Sequence, residues 1–154
     1  MNNDSKKVVI YVRYSSQRQG EISVDKQLTE CYRYCNANGF KVVKEYVDVS
    51  DSAKSDIRPQ FMQMINDSNN REFEGVIVYS FGRFSSNGCE SAIYKTKLKN
   101  NGIKVYMANT GTADYYSSII QESMSECFIK YLSNNKEILK DLLEIQEANL
   151  NNEQ

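Results

Sequence analysis

Residues 8 to 12 read VVIYV, an unbroken run of β-branched and aromatic side chains. Such a run is typical of a strand that is buried on both faces of a parallel sheet. Further strands are predicted at Phe40–Val47, in the stretch VIVYSF that follows Gly75, and in IKVYMA from Ile103. Helices are predicted between these strands. The expected fold is therefore α/β, with a mostly parallel central sheet, right-handed crossovers and helices on both faces.

The predicted helices have recognisable ends. Ser23 is a suitable N-cap for VDKQLTECYRYCNAN, where apolar residues recur every three or four positions, and Gly39 is a stop signal. A shorter helix begins at Arg58-Pro59, because proline fits the first helical turn. A basic helix is predicted over Cys89–Asn101. The buried face of the shorter helix is predicted to contain Phe61, Met62 and Ile65.

The pattern changes near Ser117, where a long C-terminal helix is predicted to begin. A cluster at 133–135 is expected to interrupt it. Its first apolar stripe consists of Ile120, Met124, Cys127 or Phe128, and Tyr131, and a later one of Ile138, Leu142 and Ile145. A stripe of this kind packs either on a partner subunit or back on the domain's own sheet. The sequence leaves both arrangements open.

Composition narrows the class of protein. The chain has 154 residues, 40% hydrophobic and 25% charged, which fits one ordinary globular domain. It contains no apolar run of about 20 residues and no signal-peptide core, so we expect a cytoplasmic protein without a membrane contact. The net charge of -1 provides no global attraction to DNA. Any DNA contact must come from local arginine clusters or from a partner domain.

Several catalytic classes are disfavoured by the residues that are missing. The chain has no histidine, which excludes Ser-His-Asp hydrolysis, Cys-His proteolysis and His-based phosphotransfer. Its four cysteines show no CxxC spacing, so a zinc site is not expected. Cys31 and Cys35 stand four apart on a predicted helix and are expected to be buried thiols without a redox role.

Candidate chemistry lies after the predicted strands, where functional groups of α/β proteins gather. Arg13 and Ser15 are two residues apart on extended backbone, so their side chains point the same way. Arg83 follows the third strand and Arg58 begins the helix after the second. A hydroxyl among guanidinium groups suits attack on a phosphodiester, because arginine binds phosphate oxygens and stabilises their developing charge. Each residue alone would more commonly be a turn hydroxyl or a surface charge, so the set carries the prediction.

The stretches YVRYSS at 11–16, KEYVD, Arg58-Pro59 before FMQMI, GVIVYSFGRFSSN and SAIYKTKLKNNG occur in a recognisable order. Together with a weaker stretch, IIQESMSECF, they resemble the resolvase/invertase family of serine recombinases over about Val8–Leu132. Large serine recombinases of phages and mobile elements are the most similar group. The resemblance implies a resolvase-like catalytic domain at 1–116, followed at 117–154 by a dimerisation-type helix and an acidic tail.

The resemblance also implies a mechanism. Ser15 would attack double-stranded DNA, become joined to a 5′ phosphate and release a 3′ hydroxyl, and the reversed reaction would rejoin strands. Arg13, Arg58 and Arg83 match the phosphate-binding arginines of the family. Gln27 and Gln19 match its supporting polar side chains. Neither ATP, metal nor another cofactor is implied, and the long helix would join subunits into a homodimer or tetramer.

Two departures from the family pattern affect this prediction. The family shows Asp-Arg-x-x-Arg after the third strand, whereas this chain has Gly82 before Arg83 and Ser86 in place of the last arginine. Glu90 is the nearest carboxylate in sequence that would substitute for the aspartate. Large recombinases also continue into DNA-binding domains, whereas this chain ends at Gln154 with an acidic tail, as expected of a truncated chain or a remnant.

The sequence therefore leaves three alternatives. The first is a DNA recombinase catalytic domain, active or weakened. The second is a catalytically inactive remnant that dimerises or regulates an active relative. The third is a small-molecule-binding domain of flavodoxin or receiver type, which the absence of a glycine-rich phosphate loop and of an acidic cluster after the first strand disfavours.

Overall fold

The computed structural model describes residues 5–16, 20–50, 58–84, 88–109, 113–137, 140, 141 and 144. Within them the chain alternates between strands and helices. The elements in order are β1 (Lys7–Ser15), α1 (Val24–Ala37), β2 (Lys41–Ser50), α2 (Pro59–Asp67), a 3-10 turn (Ser68–Asn70), β3 (Gly75–Val78), α3 (Phe81–Phe84), α4 (Gly88–Asn100), β4 (Lys104–Met107) and α5 (Ala113–Asn134). The predicted α/β alternation is confirmed.

The four described strands form one parallel sheet in the order β2-β1-β3-β4. The chain moves from β1 outward to β2 and then crosses back over β1 to reach β3. With right-handed crossovers, this reversal puts the connecting helices on opposite faces of the sheet. It also creates a switch point between the carboxyl ends of β1 and β3, where α/β folds of this type bind ligands.

Side chains of β1 are buried on both faces, which explains the unbroken VVIYV run. Val8, Ile10 and Val12 pack in one cluster with Cys31 and Cys35 of α1. Desolvation raises the pKa of the Cys31 thiol to about 12 and that of Cys35 to about 11, so both are protonated at neutral pH. The structure thus buries the two thiols, as predicted.

The opposite face carries a second cluster. Val9 and Tyr11 of β1 pack there with Phe61 of α2, Phe84 of α3 and Leu98 of α4. The rings of Tyr11 and Phe61 are 5.1 Å apart in an edge-on arrangement, and Phe61 also meets Phe84 at 5.2 Å. The prediction of helices on both faces of the sheet is confirmed.

The pairing of β1 with β2 contains a bulge. Val8 is opposite Val42 but Val9 is opposite Lys44, so Val43 is an extra residue. Side chains of a strand alternate between the two faces of the sheet. One inserted residue therefore moves every later side chain of β2 to the opposite face. The bulge therefore brings Asp48 opposite Arg13.

Some predicted details were wrong. Met62 is 41% exposed, and Met64 occupies the buried face of α2 with Phe61 and Ile65. Residues 61, 64 and 65 follow the spacing of one helical face, from which 62 lies a quarter turn away. Strand β3 is also shorter than predicted, because the chain bends at 79–80 and forms α3.

The last helix differs from its predicted start by four residues. It spans Ala113–Asn134, contacts α3 and α4, and ends within the predicted 133–135 interruption. The second predicted stripe, at Ile138, Leu142 and Ile145, lies outside the described residues. In the described part of the chain, no helix has the length and apolarity that a membrane span requires.

Candidate active site

The end of β1 carries the two candidate residues that the sequence placed together. Pairing of β1 with β3 ends at Tyr11 opposite Val78, whereas β1 continues to Ser15 beside β2. Arg13 and Ser15 follow Tyr11 at intervals of two and share its face of the sheet. Both are buried, and Ser15 is only 4% exposed. Among the described residues, the Ser15 Oγ has no hydrogen-bond partner.

The Arg13 carbonyl oxygen is the hydrogen-bond acceptor for two other candidate residues. It accepts hydrogen bonds from Gln27 Nε2 at 3.0 Å and from Arg83 Nη1 at 3.3 Å. Gln27 is fully buried at the start of α1, and its Nε2 also donates to the carbonyl oxygen of Ile22 at 2.8 Å. The structure thus brings Arg13, Gln27 and Arg83 into direct contact.

Arg58 is held from three sides. It is the N-cap residue of α2, and its guanidinium carbon lies 4.0 Å from the centre of the Phe61 ring. Its Nη1 donates to the carbonyl oxygen of Phe84, and its Nη2 lies 3.2 Å from Glu90 Oε1. Glu90, which the sequence suggested as a substitute for the missing aspartate, therefore contacts Arg58.

Asp48 is a buried residue of the site that the sequence reasoning missed. Its carboxylate accepts hydrogen bonds from the Tyr11 hydroxyl at 2.9 Å and from the backbone N–H groups of Gln60 and Phe61 at 3.0 Å. These contacts satisfy the free N–H groups at the start of α2 and fix the helix end that carries Arg58. The signal available in sequence was the aspartate that ends KEYVD, because it comes directly after the predicted strand Phe40–Val47.

The Tyr11 phenol acts as a hydrogen-bond donor to that carboxylate. Burial is the main cause that raises its pKa well above the usual range, and the negative charge of Asp48 raises it further. The positive charges of Arg58 and Arg13 act in the opposite direction. Tyr11, Asp48 and these two arginines consequently interact electrostatically within one cluster.

Glu21 was also missed. It lies between β1 and α1, where its Oε1 accepts a hydrogen bond from Arg83 Nη1. Its side chain is 5% exposed and that of Arg83 is 15% exposed, so the ion pair is largely buried. Since Glu90 contacts Arg58 and Asp48 lies opposite Arg13, each candidate arginine has a carboxylate neighbour.

The remaining candidates are not joined to this cluster. Gly82 is exposed, and a Cβ atom built on it would meet nothing within 4 Å. Gln19 and Ser86 lie outside the described residues. None of the described hydrogen bonds of Arg58 or Arg83 reaches the Ser15 hydroxyl. Arg13 and Ser15 lie at the end of β1, Arg83 donates to the Arg13 carbonyl oxygen, and Arg58 donates to Phe84, the residue after Arg83. The Ser15 hydroxyl is enclosed.

Comparison with known proteins identifies the family of this chain. The family model for the resolvase N-terminal domain matches residues 8–149. The N-terminal catalytic domain of TP901-1 integrase is 29% identical, with 89% of this chain and 98% of that chain covered and a TM-score of 0.60. Among curated proteins no sequence matches significantly.

Two further solved structures share the fold at lower identity. A resolvase family site-specific recombinase from Streptococcus pneumoniae is 24% identical, with 94% of this chain and 99% of that chain covered and a TM-score of 0.65. The C-terminal catalytic domain of ISC1926 TnpA, an IS607-like serine recombinase, is 21% identical, with coverages of 77% and 79% and a TM-score of 0.58. The chain belongs to the resolvase family and has the fold of a serine recombinase catalytic domain.

Proposed function

We propose that this chain is the catalytic domain of a site-specific DNA recombinase in which Ser15 is the nucleophile. The observation that carries the proposal is a buried serine hydroxyl without a described partner, at the switch point of the sheet, with Arg13 beside it on β1 and Arg83 bonded to the Arg13 carbonyl. Buried polar atoms are normally hydrogen-bonded, so an exception at such an edge favours a chemical role.

The proposed reaction exchanges one phosphoester for another. The Ser15 Oγ loses its proton and attacks the phosphorus, forming a bond to the 5′ phosphate while the bond to the 3′ oxygen breaks. The 3′ oxygen gains a proton and leaves as a hydroxyl. Because the number and type of ester bonds do not change, no external energy source is needed, and rejoining is the same step reversed.

Arg13, Arg58 and Arg83 would supply the positive charge that this reaction requires. Guanidinium groups bind phosphate oxygens in pairs of hydrogen bonds and stabilise the charge that grows in a pentacoordinate transition state. Since the Ser15 Oγ is enclosed, the residues that cover it must move before a phosphate reaches it. DNA binding is therefore proposed to open the site.

The experiment that tests the proposal traps the covalent intermediate. The chain would be fused to a DNA-binding domain of known target and offered duplexes with that target beside a randomised segment, nicked so that the released 3′-hydroxyl strand diffuses away. We expect a protein-DNA adduct that survives denaturation, disappears in Ser15→Ala and persists in Ser16→Ala, the exposed neighbouring serine. Adduct formation by Ser15→Ala would reject Ser15 as the nucleophile.

A second candidate function is a weakened or inactive recombinase that regulates a relative. Gly82 favours it, because the residue before Arg83 provides no carboxylate. A lost proton-transfer group costs about 100-fold to 10,000-fold in rate. Gly82→Asp should be accommodated without a clash, since a Cβ there meets nothing within 4 Å. If Gly82 limits the rate, this substitution should increase adduct formation, above all when it is combined with Ser86→Arg.

A modified substrate separates the two candidates without altering the protein. Sulfur in place of the bridging 3′ oxygen leaves as a thiolate, because a thiol has a pKa of about 8.5 and needs no proton donor. A chain limited by proton transfer should cleave this substrate and leave normal DNA largely intact. Cleavage of neither substrate would favour the inactive remnant, which should then inhibit an active relative when the two are mixed.

We also propose that α5 joins subunits. Ile120, Met124, Phe128 and Tyr131 recur along it at helical spacing and are exposed in the single chain. An apolar stripe of this kind is unfavourable in water and suits a self-complementary contact between two copies. Double-stranded DNA and a second copy of the chain are thus the proposed partners.

A further inference from the structure

A closed ring of contacts surrounds Arg83. Its Nη1 donates to the Arg13 carbonyl oxygen and to Glu21. Glu21 adjoins Ile22, whose carbonyl oxygen accepts a hydrogen bond from Gln27 Nε2, and the same nitrogen donates to the Arg13 carbonyl oxygen. The ring therefore returns to its starting atom. It joins the end of β1, the segment before α1, the first turn of α1 and α3.

The Glu21 carboxylate is unusual within this ring because it is charged and almost fully buried. Desolvation of a carboxylate is costly unless an opposite charge and good hydrogen bonds compensate for it. Arg83 provides that compensation, and Glu21 in return restrains one edge of the guanidinium. A surface position would avoid the cost, so the pairing requires a reason beyond stability.

The other edge of the guanidinium has no hydrogen-bond partner among the residues that the structure describes. Among the described residues, every side-chain hydrogen bond of Arg83 runs through Nη1. Its Nε and Nη2 form the fork that binds two oxygens of one phosphate. A carboxylate on Nη1 therefore fixes the orientation of this fork without occupying it.

We infer that Glu21 is the positioning residue for Arg83 and compensates for the carboxylate that Gly82 does not provide. This inference rests on the proposed function, because it assigns Arg83 to the scissile phosphate. Glu90 is a less suitable compensating group, since its contact is with Arg58 and its side chain is substantially exposed. The competing interpretation is that Glu21 blocks the phosphate site, in which case its removal would accelerate cleavage.

The test compares Glu21→Gln with Glu30→Gln in the adduct assay described above. Glu30 forms an ion pair with Arg33 on the exposed surface of α1, so its substitution removes the same charge from an arginine outside the site. We expect Glu21→Gln to lower the adduct rate at saturating DNA by about 10-fold to 100-fold, as for a misplaced transition-state contact. The half-saturating DNA concentration should stay unchanged, and Glu30→Gln should behave as wild type.

A conservative variant distinguishes a loss of Arg83 positioning from a loss of the fold. Glu21→Asp keeps the charge but shortens the side chain by one methylene, so it should fold and recover part of the rate lost in Glu21→Gln. Urea unfolding would verify that each variant is folded under assay conditions. Wild-type or faster cleavage by Glu21→Gln would overturn the inference, and faster cleavage would identify Glu21 as a competitor of phosphate.

A second readout does not depend on cleavage. In protein with labelled arginine, the Arg83 side-chain signals can be assigned by their loss in Arg83→Lys. We expect rotation of the guanidinium to be slow in wild type and fast in Glu21→Gln. Equal rotation in both would reject the positioning role. A third outcome separates the two proposals: no adduct in wild type, together with faster guanidinium rotation in Glu21→Gln than in wild type. This result would reject the proposed function but support the contact between Glu21 and Arg83.

Discussion

The Arg13 carbonyl oxygen lies where β1 extends beyond the end of its β3 neighbour. A carbonyl oxygen at that position has no partner on β3. Two side chains provide the hydrogen bonds that a neighbouring strand would otherwise give. Gln27 and Arg83 both donate to it, so one backbone atom positions two candidate site residues. At the scale of single residues, the strand end that frees the backbone also organises the site.

Gln27 provides a stability test of this arrangement. Gln27→Ala removes the donor to the Arg13 and Ile22 carbonyl oxygens and leaves a cavity. We expect the free energy of unfolding to fall by about 2 to 4 kcal/mol, measured by urea denaturation. Gln60→Ala is the control, because its side chain is exposed on α2, and it should change stability by less than about 0.5 kcal/mol. Equal effects in the two variants would contradict the account.

At the scale of elements, Gly75 sets how closely the strands approach. A Cβ atom at Gly75 would lie 2.9 Å from Val8 Cγ1 on β1 and 3.1 Å from Tyr106 Cε2 on β4. Both distances are shorter than normal carbon contacts. Glycine at the first residue of β3 therefore allows Val8 and Tyr106 to pack over it.

Gly75→Ala should consequently destabilise the sheet by about 1 to 3 kcal/mol through overpacking. Gly82→Ala is a matched control, because a Cβ atom there meets nothing within 4 Å. That control should be neutral or stabilising by up to about 1 kcal/mol, since it restricts the unfolded chain. Thermal or urea unfolding measures both, and an equal loss in both variants would count against close packing at Gly75.

Asp67 links the end of α2 to β2. Its carboxylate accepts hydrogen bonds from the Tyr46 hydroxyl at 2.6 Å and from Gln63 at 2.7 Å, and Lys44 is 3.1 Å away. The hydrogen bond from Tyr46 is the largest cause that lowers the pKa of Asp67 below its ordinary value of 3.8. The charged form is therefore favoured in the folded protein.

A lowered carboxyl pKa gives stability that is present above the unfolded value and is lost as the pH falls through the folded value. Asp67→Asn should thus be less stable than wild type by about 1 to 2 kcal/mol near neutral pH. The difference should shrink below pH 3.8. Urea unfolding of both proteins from neutral to acidic pH measures this, with Asp141→Asn on the exposed tail as control. A difference that does not change with pH would refute the assignment.

At the scale of the whole molecule, the exposed stripe of α5 determines the expected assembly. Phe128→Asp places a charge in this stripe and should weaken self-association at least about 10-fold, as for a buried interface residue. Sedimentation velocity over a range of concentrations measures the change. Ile93→Asp on α4 alters an exposed apolar residue outside the stripe and should leave association unchanged. A wild-type chain that stays monomeric would reject α5 as an interface.

The overall charge gives the molecule little affinity for DNA by itself, which affects how the site must operate. The net charge is -1, and each candidate arginine has a carboxylate neighbour. The candidate site is therefore locally neutral in the free protein, so a phosphate of the proposed DNA substrate would meet little net positive charge there. Under the proposed function, strong DNA binding would come from contacts elsewhere, and the arginines would act mainly on the transition state.

The pattern of the sequence determined the fold, because strand and helix periodicity are local properties. The VVIYV run, the Ser23 cap and the glycine at 39 predicted β1 and α1, and residues two apart on β1 had to share a face. The relation of Arg13 to Ser15 was therefore predictable. Arg58 and Arg83 were singled out because they follow predicted strands, and the resemblance in motif order then suggested their role.

Only the tertiary structure decided which distant groups meet. The bulge at Val43 brings Asp48 to the face of Arg13, and a one-residue insertion of this kind has no sequence signature. Glu21 and Arg83 are far apart along the chain, and a glutamate in a polar loop would ordinarily be solvated. Their pairing depends on the packing of α3 against the end of β1, since burial and charge compensation are properties of the folded molecule rather than of the local sequence.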